Sequence, residues 1–262
     1  MARFALVCQV CGADAGDAAR CPACGGILMT RYAAPTAADW AAAARHPGLW
    51  RHAPLLPVRD AAGAISLGEG NTPLVRSGRI AAALGLDNLW FKVEAANPTG
   101  SYKDRIAAVA LTRAREAGRR GWIATSSGNA GAALAAYSAR SGLPGLLVVP
   151  ANASLAKLAQ IQAYGARLLA VEGFGTSAAH DAAVFAALVA ASAARDWALS
   201  ITAHAFDPWA LDGAKTIAFE IAEALGAAPA RVYVPAGGGG LAASIARGFR
   251  EWRELGRAAG QP

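Results

Sequence analysis

Lys103 stands in the run Asn97-Pro98-Thr99-Gly100-Ser101-Tyr102-Lys103-Asp104-Arg105, a setting that suits Schiff-base chemistry. A glycine–serine turn lets backbone amides approach a cofactor closely, and the lysine amine can condense with an aldehyde. The chain has four lysines (Lys92, Lys103, Lys157, Lys215) against 21 arginines, which sets a lysine in such a turn apart from an ordinary surface charge. The plain alternative is a solvated helix start. A second candidate is Val232-Tyr233-Val234-Pro235-Ala236 followed by Gly237, Gly238, Gly239 and Gly240. A strand leading through glycines into a helix makes a cradle for one anion, because N–H groups converge and the helix N-terminus adds partial positive charge. A flexible turn would read the same way. No Walker lysine follows the glycines, so ATP is disfavoured. The third candidate is Ser126-Ser127-Gly128-Asn129, between an apolar run ending at Thr125 and a helical pattern. Its amides and hydroxyls suit a carboxylate; N-capping by the serines is the alternative.

All four cysteines fall near the N-terminus, as Cys8-x-x-Cys11 and Cys21-x-x-Cys24, each pair followed by glycine. Two such knuckles supply four thiolates in a tetrahedral array, which suits structural Zn²⁺ with no open position for catalysis. Two disulfides or free thiols are the alternatives, and a cytoplasmic setting disfavours disulfides.

The elements that must position these groups show in the periodicity. Helix 103–119 precedes strand 122–125, helix 129–142 precedes strand 145–149, and helix 154–164 precedes strand 167–171. Helix 176–195 precedes strand 198–201, and helix 212–226 leads to strand 231–234 and helix 240–257. This alternation implies a parallel sheet covered by helices, an α/β fold. Residues 1–30 read as the zinc ribbon and 67–262 as the catalytic domain. Between them, 31–66 is a connector with a helical pattern near Trp40. Its prolines and glycines suggest a lining segment, not a core element.

An apolar content of 55% with 16% charged residues argues for a packed core. The net charge of +7 would suit nucleic acid, but no basic run or basic–aromatic alternation appears, so no nucleic-acid partner is expected. The longest apolar stretch, Ala182 to Ala194, is too short to span a bilayer, and no secretory signal is evident, so a soluble cytoplasmic protein is expected.

The Lys103 run resembles the lysine motif of threonine synthase and its relatives, the pyridoxal-phosphate (PLP) enzymes of fold type II. Four further stretches match in order: Leu67-Gly68-Glu69-Gly70-Asn71-Thr72-Pro73-Leu74, Ser126-Ser127-Gly128-Asn129-Ala130-Gly131, Gly213-Ala214-Lys215-Thr216-Ile217-Ala218-Phe219-Glu220, and Val234-Pro235-Ala236 with Gly237 to Gly240 and Leu241. The resemblance implies a nested smaller α/β domain spanning about 110–205. It makes Lys103 the cofactor lysine and the base at the substrate Cα, and Gly237–Gly240 the grip on the cofactor phosphate. Asn129 would face the cofactor 3′-oxygen, and Ser126, Ser127 and Gly128 would hold a small amino acid's carboxylate. Asp104 and Arg105 are expected to pair structurally. An N-terminal zinc ribbon also occurs in this family.

The chain departs from the family at several places. His204 and Ala205 occupy the place of an Asn-Ser pair, Ala210 that of an arginine that holds substrate phosphate, and Ala130 that of a threonine. Relatives continue past the helix ending near Leu255, so the catalytic domain is expected to be incomplete at its C-terminus. The partner of the cofactor ring nitrogen is then absent. A homo-oligomer or a complementing second chain is the matching partner expectation. The first reading is a threonine synthase-like PLP-dependent lyase acting on a small amino acid, which the resemblance implies is O-phosphohomoserine, converted to threonine. The alternatives are a serine/threonine dehydratase or β-replacement enzyme of the same fold, and a non-catalytic truncated paralogue with a binding or regulatory role.

Overall fold

The computed structural model describes residues 3–16, 18, 20–260 and 262, and of Lys157 the main chain alone. Met1, Ala2, Asp17 and Ala19 of the expected ribbon, and Gln261 of the expected catalytic domain, lie outside the described residues. At the N-terminus β1 (Phe4–Cys8) pairs antiparallel with β2 (Leu28–Tyr32), from Phe4 opposite Tyr32 to Cys8 opposite Leu28. Leu6 and Leu28 pack with Cys8 and Cys21 in a small core of their own. The far side of β2 is bound into the main body. The Thr30 and Tyr32 hydroxyls both donate to the Asp212 carboxylate, and Arg247 donates to the Thr30 carbonyl at 2.6 Å.

The connector opens with α1 (Ala37–Ala43), started by a capping box in which Thr36 and Asp39 satisfy each other's backbone N–H. A 3₁₀ segment, Gly48–Leu55, follows. It is not a lining segment as its prolines suggest: Leu49, Leu56 and Val58 are 0% exposed and Trp50 is 2% exposed. The reason is the Trp50 indole, whose N–H donates to Glu69 at 2.6 Å, deep inside. A buried indole needs that partner, and Glu69 supplies it.

Next, β3 (Leu74–Arg76) and β4 (Trp90–Lys92) form an antiparallel pair enclosing α2 (Gly78–Ala83). The remaining order is α3 (Lys103–Glu116), β5 (Trp122–Thr125), α4 (Asn129–Ser141), β6 (Gly145–Pro150), α5 (Leu155–Ala163), β7 (Arg167–Val171), α6 (Ala178–Arg195) and β8 (Ala198–Leu199), then α7 (Asp212–Leu225) and α8 (Gly240–Glu254). Strands β5 to β8 make one parallel sheet in the order β7-β6-β5-β8. The expected strand at 231–234 does not form. Among the described residues no neighbouring strand offers it a ladder. Val232 and Val234 instead lean on the apolar cluster of α7 and α8, while Tyr233 stands 83% exposed.

Helices α3, α7 and α8 cross at glycines. A Cβ on Gly213 would lie 2.1 Å from the Arg105 carbonyl, and one on Gly248 would lie 2.5 Å from the Lys215 carbonyl. Only glycine permits such approach. No helix of the described residues is long and apolar enough to cross a membrane.

Candidate active site

The turn before α3 is held from several sides. Gly100 takes φ +86°, a left-handed conformation that favours glycine, and its N–H donates to the Asn97 carbonyl at 2.8 Å. The Asn97 amide group donates to Glu94 and accepts from the Gly70 N–H at 3.0 Å. Thr99 donates through its hydroxyl to Asp104 at 2.6 Å. Helix α3 therefore begins at a fixed place, and its first residue is Lys103.

The Lys103 amine, half-buried, donates to the Thr202 hydroxyl at 3.0 Å and lies 4.9 Å from the centre of the Tyr102 ring. Burial lowers its pKa. The other described lysine side chains are committed elsewhere. Lys92 pairs with Glu220 at 2.6 Å, and the wholly buried Lys215 pairs with Glu251 at 2.8 Å and Asp212 at 3.1 Å. Lys103 thus keeps a nucleophilic nitrogen with no carboxylate on it among the described residues.

Arg105, two residues on, is 0% exposed. It binds Glu94 and Glu220, and reaches the Thr72 and Thr216 hydroxyls at 3.2 and 2.9 Å. Glu69 of the same region gathers Trp50, Ser66, the Leu67 N–H and the Tyr137 hydroxyl. Three motifs distant in sequence, at 67–74, 97–105 and 213–220, are thereby locked into one body. As expected, Asp104 and Arg105 serve this packing, each with its own partners.

The serine loop leaves the carboxyl end of β5. Ser126 and Ser127 are half-buried, while Gly128 and Asn129 are exposed. Gly128, not a serine, stands at the N-cap of α4 without a side-chain cap, and Ser126 instead accepts from the Gly128 N–H at 3.2 Å. Strand β8 runs parallel to β5, with Ile123 opposite Leu199, and the Ser200 N–H continues the ladder to the Ile123 carbonyl at 2.9 Å. The serine loop and the Thr202 segment therefore emerge at the same edge of the sheet, outside the carboxyl ends of its strands, where open α/β sheets bind ligands.

The glycine loop is presented by α8. Gly240 is the first helical residue, and a Cβ there would meet the Leu211 side chain at 3.8 Å. Gly237 and Gly238 are exposed, and at Gly237, Gly238 and Gly239 a Cβ would meet nothing within 4 Å. The cradle is thus a loop and a helix start, without the strand. No hydrogen bond among the described residues joins Lys103 to the serine loop or the glycine loop. One segment touches two of the three: Thr202 meets Lys103, and Leu211 lies beside Gly240. The donor set fits a phosphorylated aldehyde: a nucleophilic amine, and two helix N-termini opened by glycines, Gly128 and Gly237–Gly239, where a Cβ would meet nothing within 4 Å. Thr202 escapes sequence reasoning because it belongs to no motif.

The four cysteine sulfurs converge within 4.8 Å of one another, with Cys8 and Cys21 buried and Cys11 and Cys24 exposed. Their separations include 3.5 Å for Cys8–Cys24 and 3.6 Å for Cys11–Cys21, too long for disulfides, and all four are free.

Parallel sheet, covering helices and lysine turn define a PLP enzyme fold of type II. Residues 65–260 match the family model described as "Pyridoxal-phosphate dependent enzyme", and the chain belongs to that family. It is 38% identical over 239 residues to threonine synthase of Methanocaldococcus jannaschii, covering 89% of this chain and 57% of that protein. With threonine synthase of Synechocystis sp. it shares 36% identity over 206 residues, covering 78% and 52%. Among solved structures it is similar to a threonine deaminase from T.th., with TM-score 0.59, 29% identity, and coverage of 84% of this chain and 63% of that one. It is also similar to a PLP-dependent aspartate racemase, with TM-score 0.57, 27% identity, and coverage of 70% and 55%. The chain spans about half the length of the curated relatives it matches.

Proposed function

We propose that this chain is the PLP- and substrate-binding part of a threonine synthase-like carbon–oxygen lyase acting on a small amino acid. The observation that carries the reading is the Lys103 amine, half-buried, lowered in pKa by burial, and bonded to a neutral hydroxyl with no carboxylate on it among the described residues. When bound, PLP supplies an electron-accepting ring that stabilises negative charge at the substrate Cα. Lys103 would anchor the cofactor, and its Nζ would hold the proton taken from the substrate Cα. Its burial favours the neutral amine over the ammonium. Gly237–Gly240 and the start of α8 hold the cofactor phosphate through backbone N–H groups. Ser126, Ser127 and Gly128 would orient the substrate carboxylate at the start of α4, and Asn129 would face the cofactor 3′-oxygen. The four cysteines hold one structural Zn²⁺.

A second reading, dehydration of serine or threonine, is favoured by the segment 204–210. Ala210 is 1% exposed and packs in the central core, so no cation stands there to meet a substrate phosphate. Burial lowers the His204 pKa and so favours its neutral form. Phe206 stacks on Phe185 at 5.2 Å and brings only apolar surface. Each missing bond to a charged group is worth about 1.5–3 kcal/mol. O-phosphohomoserine is therefore expected to be a poor substrate beside serine and threonine. The assay compares phosphate release from the first with 2-oxo acid formation from the others, and efficient threonine formation would refute the preference.

A further inference from the structure

We propose that Thr202 is a positioning residue for the Lys103 amine, holding that nitrogen at the carboxyl edge of the sheet whenever it is not covalently engaged. The proposal rests on Lys103 being the cofactor lysine, and it deepens that reading.

Geometry carries it. The Lys103 Nζ reaches the Thr202 Oγ1 at 3.0 Å, across 99 residues of sequence. Thr202 is itself held in place. The Ser200 N–H is bonded to the Ile123 carbonyl at 2.9 Å, which fixes the chain just before it on the β5 ladder. The Ala203 N–H bonds the Ile201 carbonyl at 2.7 Å, closing a γ-turn centred on Thr202. Further on, the Phe206 and Asp207 N–H groups both bond the Ala203 carbonyl at 2.9 Å. The hydroxyl is thus presented from a tethered turn at the end of β8.

The chemistry suits a lysine that changes protonation state. A hydroxyl has acceptor lone pairs and one donor hydrogen. It accepts from an ammonium and, after rotation, donates to a neutral amine, so one side chain serves both forms. A carboxylate in that place would favour the charged lysine, as Asp212 and Glu251 do at Lys215 against the burial that lowers its pKa. Among the described residues that contact the Lys103 amine, the titratable one is Tyr102 of its own turn, whose pKa burial raises; Thr202, from the segment after β8, is neutral. Burial is the cause acting on the Lys103 amine, and neither a carboxylate nor a second cation adds to it.

The test uses cofactor-free protein and traces the acetylation of Lys103 by limiting acetic anhydride across a pH series, read by peptide mass. Thr202→Val keeps the shape and removes the acceptor for the ammonium. The Lys103 titration is then expected to move down by about half a unit to one unit, the margin by which a bond to the ammonium exceeds a bond to the neutral amine. Thr202→Ser is expected to titrate like the parent. If Thr202→Val does not fold, Thr202→Ala is read instead, with the same expected direction. An unchanged titration in the Val or Ala variant, or a Ser variant that shifts as Val does, overturns the proposal. The readout needs no bound cofactor. A shift in a protein that never captures PLP at Lys103 would therefore keep the Thr202 contact and discard the proposed function.

Discussion

Arg105 clasps Glu220 with two separate nitrogens, Nη1 to Oε1 at 2.6 Å and Nη2 to Oε2 at 2.8 Å. The same guanidinium holds Glu94 through Nε and Nη2, both at 2.8 Å. One buried side chain thereby joins the start of α3 to the middle of α7, and the lysine turn inherits its position from that junction.

Breaking the clasp is expected to unfold the site's scaffold. Glu220→Gln leaves Arg105 and Lys92 short of a buried counter-charge, which typically costs about 3–5 kcal/mol. Urea unfolding of the variant should show it. The pH dependence has a definite sign. Burial alone would raise the Glu220 carboxyl, but Arg105 and Lys92 overcome it and hold its pKa at about 2, below the ordinary 4.5. Its contribution is therefore complete above about pH 4.5 and lost as pH falls through about 2. Midpoints measured over that window should fall in the parent and flatten in Glu220→Gln. Parallel slopes would contradict the assignment.

Gly213→Ala is expected to destabilise by about 1–3 kcal/mol, the usual range for overpacking, because the added methyl meets backbone that cannot swing away. At a chain of this size that is roughly 2–4 °C in Tm per kcal/mol. Gly237→Ala is the contrast. Its Cβ meets nothing within 4 Å, so Tm should hold while PLP affinity falls if a phosphate packs against that loop. Equal melting of Gly213→Ala and the parent would count against the tight α3–α7 crossing.

Purified under reducing conditions, the protein should carry about one zinc, as four thiolates complete one tetrahedral site. Removing the metal with a chelator should loosen β1 and β2 first. Their separate core is small, and the metal would supply part of their stability. Metal analysis with hydrogen exchange of residues 4–32 checks this; zinc-free protein with the same protection would contradict it.

The helices α3 to α8 are legible in the sequence because each repeats its apolar positions, and the strands β5 to β7 because short apolar runs lie between them. Strand 231–234 has the same kind of run, yet a strand is completed by its neighbour's ladder, and Val232 and Val234 find side-chain contacts instead. The 48–58 segment misleads because proline and glycine usually mark surface turns. The burial of Trp50 depends on Glu69, a partner that spacing does not disclose. The cysteines announce their convergence because two short knuckles leave little freedom. Thr202 announces nothing, since its contact is made across the sheet's edge and not within a motif.

The most direct measurement is borohydride reduction of the PLP-loaded protein followed by peptide mapping. Lys92 and Lys215 are held in ion pairs, whereas the Lys103 amine is half-buried, bonded to the Thr202 hydroxyl and free of carboxylates among the described residues. The cofactor mass is expected on the peptide containing Lys103, with bleaching of a visible absorbance band, and Lys103→Ala should abolish both. A label on Lys92, Lys157 or Lys215, or undiminished labelling of the Lys103→Ala protein, would contradict the assignment of Lys103 as the cofactor lysine.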